Sequence, residues 1–189
     1  MSDKSAIKRI LGAALTVLLV GLLFVPVAQA KEVPIYIEYT GTGHDLVPPV
    51  LGDPLPDNIV LADASGSFGA KSSVIVVKFG DPPPVDDPCD AGYTFLGVVY
   101  ARAVTSFKDG SQLFATVIPG EQSYMCLNFV TGHYYGSVVG EFIGGVGRFE
   151  GASGPFVSPF DGYNLTSALA GEFPFRSIKG SFDGTVIFD

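Results

Sequence analysis

The sequence predicts an all-β fold, a small antiparallel β-barrel of about eight strands, preceded by an N-terminal signal helix. Three observations carry this. Period-two alternation of apolar and polar residues recurs along the chain, as strands with one buried face require. The 24 glycines and 14 prolines are scattered without period and interrupt any long helix. Beyond the first thirty residues, no stretch shows a 3.6-residue apolar rhythm.

Lys4, Lys8 and Arg9 precede an almost uncharged run from Ile10 to Ala30 that ends Pro26-Val-Ala28-Gln-Ala30. A basic start, an apolar middle and a small-x-small ending are the parts of a secretory signal peptide. Cleavage is expected after Ala30, which would export residues 31–189 as a single domain to a periplasm or to the medium. The alternative is an uncleaved anchor, because the apolar run is near the shortest length that spans a bilayer. On the first reading, the chain meets a membrane only through this segment before cleavage.

The leader carries three of the eleven basic and one of the nineteen acidic side chains. The remaining 159 residues therefore hold 8 basic against 18 acidic groups, a net charge near −10. Nucleic acid is an improbable partner for such a surface, since binding it relies on cationic side chains displacing counterions. A chain of this length can bury roughly 70% of its unfolded surface and needs no metal to fold. Cys89 and Cys126 are an even pair, expected to form a disulfide in an oxidising compartment, with two buried thiols as the alternative.

Taken in order, Val33, Ile35, Ile37 and Tyr39 alternate with Pro34, Tyr36, Glu38 and Thr40. Further strands are expected over Val74 to Phe79, Tyr93 to Val104, Ser111 to Ile118, Tyr124 to Val130 and Tyr135 to Ile143. The last expected strand has Phe182, Gly184, Val186 and Phe188 on its apolar side. Asp109-Gly110 marks a hairpin, since Gly tolerates the positive φ of a tight turn. Pro119-Gly120 and Thr131-Gly132 punctuate the next boundaries. Seven or eight strands at this spacing read as a sandwich or a closed barrel. Runs apolar on both faces, such as Tyr93 to Tyr100, suit a barrel with a filled interior and a covered exterior. The proline-rich segments 41–57 and 81–90 read as loops, and the second as a stiff connection or edge cover pinned at Cys89.

The segment Gly144-Gly145-Val146-Gly147-Arg148-Phe149-Glu150-Gly151-Ala152-Ser153-Gly154 resembles the GGTGRFAGATG-type signature of the allene oxide cyclase and dirigent barrels. Gly180 to Ile187 resembles the closing strand of the same group. The resemblance spans roughly Val98 to Phe188, and Val146 replaces the commoner Thr. It implies an eight-stranded barrel in which the signature joins two strands through a tight turn and a short helical turn. Phe149 would plug the barrel end, with Arg148 and Glu150 facing solvent. In those families the barrel either holds a fatty-acid epoxide for cyclisation or steers the coupling of phenoxy radicals.

Candidate chemistry is sparse. Among the two histidines, His44 reads as a solvated loop residue, and His133 is a candidate acid or base at a cavity mouth. Glu141, among Val138, Val139, Phe142 and Ile143, would have a raised pKa if it pointed into an apolar barrel; the alternative is that it points outward. Arg102 is its candidate ion-pair partner or an anion anchor. Tyr134 and Tyr135 are candidate ligand contacts, although aromatic residues at strand spacing also make plain core. Neither a metal-ligand spacing nor a Gly-x-Ser-x-Gly elbow is present, and no cofactor is expected. Asn164-Leu165-Thr166 forms a glycosylation sequon, meaningful only in a host with that machinery. The function these features imply is a non-catalytic barrel that binds a small hydrophobic or aromatic molecule, or an interaction module. The alternatives are a dirigent- or cyclase-like isomerase, and a structural surface protein that self-associates as a homo-oligomer.

Overall fold

The computed structural model describes residues 30–45, 58–80, 87–118, 123–165 and 175–188. The leader up to residue 29, segments 46–57 and 81–86, Pro119-Gly120 and Thr166 lie outside the described residues. Nine strands follow in order: β1 (Lys31–Asp45), β2 (Asn58–Gly66), β3 (Ala70–Gly80), β4 (Thr94–Phe107), β5 (Gln112–Val117), β6 (Tyr124–Leu127), β7 (His133–Val146), β8 (Gly154–Asn164) and β9 (Phe175–Phe188). They form one antiparallel sheet in the order β3-β2-β1-β9-β8-β7-β5-β4-β6, and pairing of β3 with β4 closes it. Short β6 follows β5 in the same slot between β4 and β7. Nine strands thus make eight staves of a closed barrel. Where that stave is interrupted, the Ser123 hydroxyl accepts the Val139 N–H at 2.9 Å.

The two barrel ends differ. At one end the turns are tight: Ser67–Gly69 between β2 and β3, residues 108–111 between β4 and β5, and residues 147–153 between β7 and β8. Asp109-Gly110 makes the expected hairpin, with Gly110 at φ +84° and its N–H donating to the Phe107 carbonyl at 3.0 Å. Ile35, Ile37, Leu113, Phe149 and Val186 are essentially sealed from solvent in the main core cluster, which fills this end. The β1–β2, β3–β4, β6–β7 and β8–β9 connections all leave from the other end.

Inward-facing aromatic side chains reach over glycines of neighbouring strands. A Cβ on Gly162 would meet the Tyr134 hydroxyl at 2.6 Å, and one on Gly136 would meet the Phe160 ring at 2.6 Å. Tyr39 covers Gly180 in the same way, and the Phe156 ring covers Gly140. Pairing large with absent side chains lets a narrow barrel accept rings that would otherwise clash across its axis.

Three expectations need correction. Gly41–Asp45 belongs to β1 and not to a loop, because these residues pair on both sides, with β2 and with β9. The strand expected over Tyr124 to Val130 stops at Leu127, and Phe129 and Val130 stand exposed in the turn to β7. Strands β2 and β8 were not foreseen. Pro155 and Pro159 hide β8 from a pattern search, yet the β8–β9 rungs skip Ser158 and Pro159, so the missing N–H costs no hydrogen bond there.

The chain before β4 lies over the outer wall. A Cys89–Cys126 disulfide with Cα atoms 5.5 Å apart fixes it, as expected from the even pair. Cys126 is buried beneath this segment. Asp90 adds two hydrogen bonds to the Tyr135 hydroxyl, donating from its N–H at 2.9 Å and accepting at its carboxylate at 3.0 Å. Val99 nevertheless remains half-exposed, so the outer face of this stretch is only partly covered.

Candidate functional site

The signature segment closes the tight-turned end. Gly147, Arg148 and Phe149 form one 3-10 turn after β7, and Gly147 (φ +70°), Gly151 (φ +72°) and Gly154 (φ +126°) supply left-handed backbone. Gly144 also has positive φ, and the Phe149 side chain packs over Gly145. The Phe149 ring is fully buried against Phe107 (4.6 Å between centroids), Phe68 (5.5 Å) and Phe188 (6.2 Å). Glu150 is exposed. Arg148 does more than face solvent. Its guanidinium sits 5.1–5.4 Å over the Phe68, Phe107 and Phe149 rings, donates to the Phe68 carbonyl at 2.7 Å and pairs with Asp109 at 3.2 Å. Hydrogen bonds from Ser111 hold the Asp109 carboxyl below its ordinary range, and Arg148 adds to the effect. This end is a capped plug.

Toward the other end the barrel holds a cavity of about 70 Å³, room for a few waters or a molecule of a few heavy atoms. Its wall is overwhelmingly apolar and includes Val60, Ile75, Val98, Val117, Val138 and Phe156. Three polar groupings interrupt that wall. The Tyr39 and Ser158 hydroxyls share a buried hydrogen bond of 3.1 Å. The Tyr134 hydroxyl donates to the Ser177 carbonyl at 2.7 Å. Burial pushes the Tyr39 phenol up to about 12, partly offset by Ser158, and burial also raises Tyr134. Both hydroxyls therefore stay protonated and neutral at physiological pH.

The third grouping lies where β2, β1 and β9 meet, at the end of the cavity away from the capped end. Asn58, Asp45 and Arg176 face inward there. Arg176 pairs with Asp45 at 3.1 Å, and the Asn58 side-chain amide donates to the same carboxylate. Asn58 is almost fully buried, and both members of the ion pair are mostly so. The Arg176 Nε is buried with no hydrogen-bond partner among the described residues.

Glu141 is exposed on the outer face of β7, opposite Thr116 and Pro155. It is therefore not a cavity acid or base, because Gly140 and Phe142 take the inward positions. Arg102 is also on the exterior, with its guanidinium 5.6 Å over the Tyr100 ring. In register, Thr116 separates Arg102 from Glu141, and no ion pair joins the two among the described residues. His133 and Tyr135 likewise sit outside, beneath the segment pinned by Cys89. The Tyr93 hydroxyl is 2.7 Å from His133 Nδ1, while His133 Nε2 is 3.5 Å from Asp161, which Lys179 also contacts at 3.1 Å. Of the candidates, Tyr134 lines the cavity from an inward position, and Arg102 borders it only from the wall, its side chain being exposed.

Asp45, Asn58 and Arg176 escaped the sequence reading. The available signal was the alternation itself: counting back in twos from Phe182 through Gly180 and Ile178 reaches Arg176. Among the described residues, no three His, Cys, Asp or Glu side chains are grouped to hold a metal, and no helix is long and apolar enough to cross a membrane.

Fold and site define a closed antiparallel barrel with one capped end and a small apolar cavity toward the other. No protein-family model matches the chain, and neither the curated proteins nor the solved structures yield a match.

Proposed function

We propose that this protein is an exported barrel that binds a small hydrophobic or aromatic molecule without transforming it. The observation that carries this reading is the apolar cavity with a few convergent polar groups, the usual composition of a small-molecule site. The polar groups in its wall are neutral hydroxyls, an amide and a guanidinium already paired with a carboxylate, all suited to orienting a ligand. The signature turn, lying between two adjacent strands and carrying a short helical turn, supports kinship with the allene oxide cyclase and dirigent barrels. The exterior position of Glu141 favours binding over the cyclase-like alternative. Native mass spectrometry of the protein purified from its own host tests the reading. Residues 31–189 carrying a bound small molecule would support both export and binding, whereas an empty monomer would count against a carrier.

A second reading is self-association. On the outer wall Leu61, Val74 and Val104 lie in register across β2, β3 and β4, and Phe114 and Ile143 continue the row onto β5 and β7. Leu61, Val74 and Ile143 are 41–49% exposed. A band of that kind suits an interface with a second copy. Sedimentation velocity across a concentration series decides it: a purely monomeric protein at high concentration removes this reading.

A further inference from the structure

From the wall of the cavity we infer that its ligand is an uncharged, compact molecule whose single hydrogen-bond acceptor, a carbonyl or ether oxygen, docks on Arg176 Nε while its apolar body lies between Val60, Val138 and Phe156. This rests on the binding function proposed above and names the chemistry of that same site.

The cavity has a built-in cradle. Gly136, Gly140, Gly162 and Gly180 are each covered by a neighbouring aromatic ring, but Gly43 is not. The atoms nearest a Cβ at that position are Asn58 Oδ1 at 3.2 Å, Arg176 Cβ at 3.6 Å and Val60 Cγ2 at 3.6 Å. Gly43 lines the cavity and stands opposite Arg176 in the β1–β9 register. The chain thus omits a side chain opposite a residue whose buried guanidinium N–H lacks a partner among the described residues. A buried donor left unpaired costs about 1–3 kcal/mol, and a ligand oxygen would recover that loss.

Asp45 sets the charge of the ligand. It already neutralises the guanidinium, and Asn58 holds it in place. A ligand carboxylate would put a second anion on one cation inside an apolar wall, where neither is well solvated and their repulsion is strong. A neutral acceptor avoids that repulsion and still takes the Nε–H hydrogen. A ligand with no acceptor leaves the donor unpaired. Tyr134, whose hydroxyl is committed to the Ser177 carbonyl, offers no competing donor.

Three probes of nearly equal size and shape separate these cases: acetone, acetate and isobutene. The protein, produced from its full-length chain, is titrated with each by NMR chemical-shift mapping at neutral pH. Acetone should bind at least tenfold more tightly than either of the others. In Asp45→Asn, with its fold checked by circular dichroism, the guanidinium is no longer neutralised and acetate should gain at least tenfold relative to acetone. Equal binding of all three, or a preference for acetate in the unaltered protein, overturns this inference and leaves the cavity reading standing. Failure of all three to bind overturns the binding function, and this inference with it.

Discussion

Truncating Phe149 to Ala removes the plug of the capped end. The ring is completely buried, with three aromatic neighbours between 4.6 and 6.2 Å and a guanidinium above it. Large-to-small changes at such sites cost about 3–5 kcal/mol through lost transfer energy and an uncollapsed cavity. The upper part of that range is expected, because each well-oriented aromatic pair adds roughly 0.5–1.5 kcal/mol beyond the area it buries. For a domain of this size each kcal/mol lowers Tm by roughly 2–4 °C, so the variant should melt ten degrees or more below the parent. Urea unfolding followed by circular dichroism gives the free energy directly. Arg148→Ala should cost only about 1 kcal/mol, since its pairing is half-exposed and its stacking is the main loss. The double variant should be less destabilised than the sum, because the guanidinium loses its platform once the Phe149 ring is gone. A Phe149→Ala cost below about 1 kcal/mol would refute the plug reasoning.

Three further outcomes are expected. Cys89→Ser with Cys126→Ser should lower stability by up to about 4 kcal/mol, the chain-entropy value for a 37-residue separation; unchanged urea midpoints with and without reductant would contradict it. At high pH, unfolded tyrosines ionise near 10 while Tyr39 keeps its proton to about 12. The unfolded state then binds fewer protons, so stability should fall by about 2–3 kcal/mol as pH rises through that window; Tyr39→Phe should flatten the decline in pH-dependent melting curves, and an equally steep decline would remove Tyr39 as its cause. Glu141→Gln, on the outer wall, should shift stability by less than about 0.5 kcal/mol and leave ligand affinity unchanged by calorimetry; a loss of affinity would move the binding site out of the barrel.

The sequence by itself determined the strand character of the chain and the hairpin at Asp109-Gly110. Its even pair of cysteines pointed to the Cys89–Cys126 disulfide, with free thiols as the alternative, while the turn at Gly144 to Gly154 was implied by a resemblance of motif. These are local consequences: two-residue periodicity, positive φ at glycine, and an even number of cysteines. Strand β8 stayed hidden because proline is judged locally as a breaker, whereas its tolerance at Pro159 depends on which rungs of the neighbouring ladder are made. The side of the wall that a residue faces was decided only in three dimensions. Strand β7 is apolar on both faces near Glu141, so its alternation alone left the register open, and closure of the barrel placed that carboxylate outside. The same closure brought Asp45, Asn58 and Arg176, from three strands and up to 131 positions apart, to the inner surface beside an uncovered glycine. Local pattern fixes which side chains can share a face; only the pairing of distant strands, with the burial it imposes, selects the face that becomes the site.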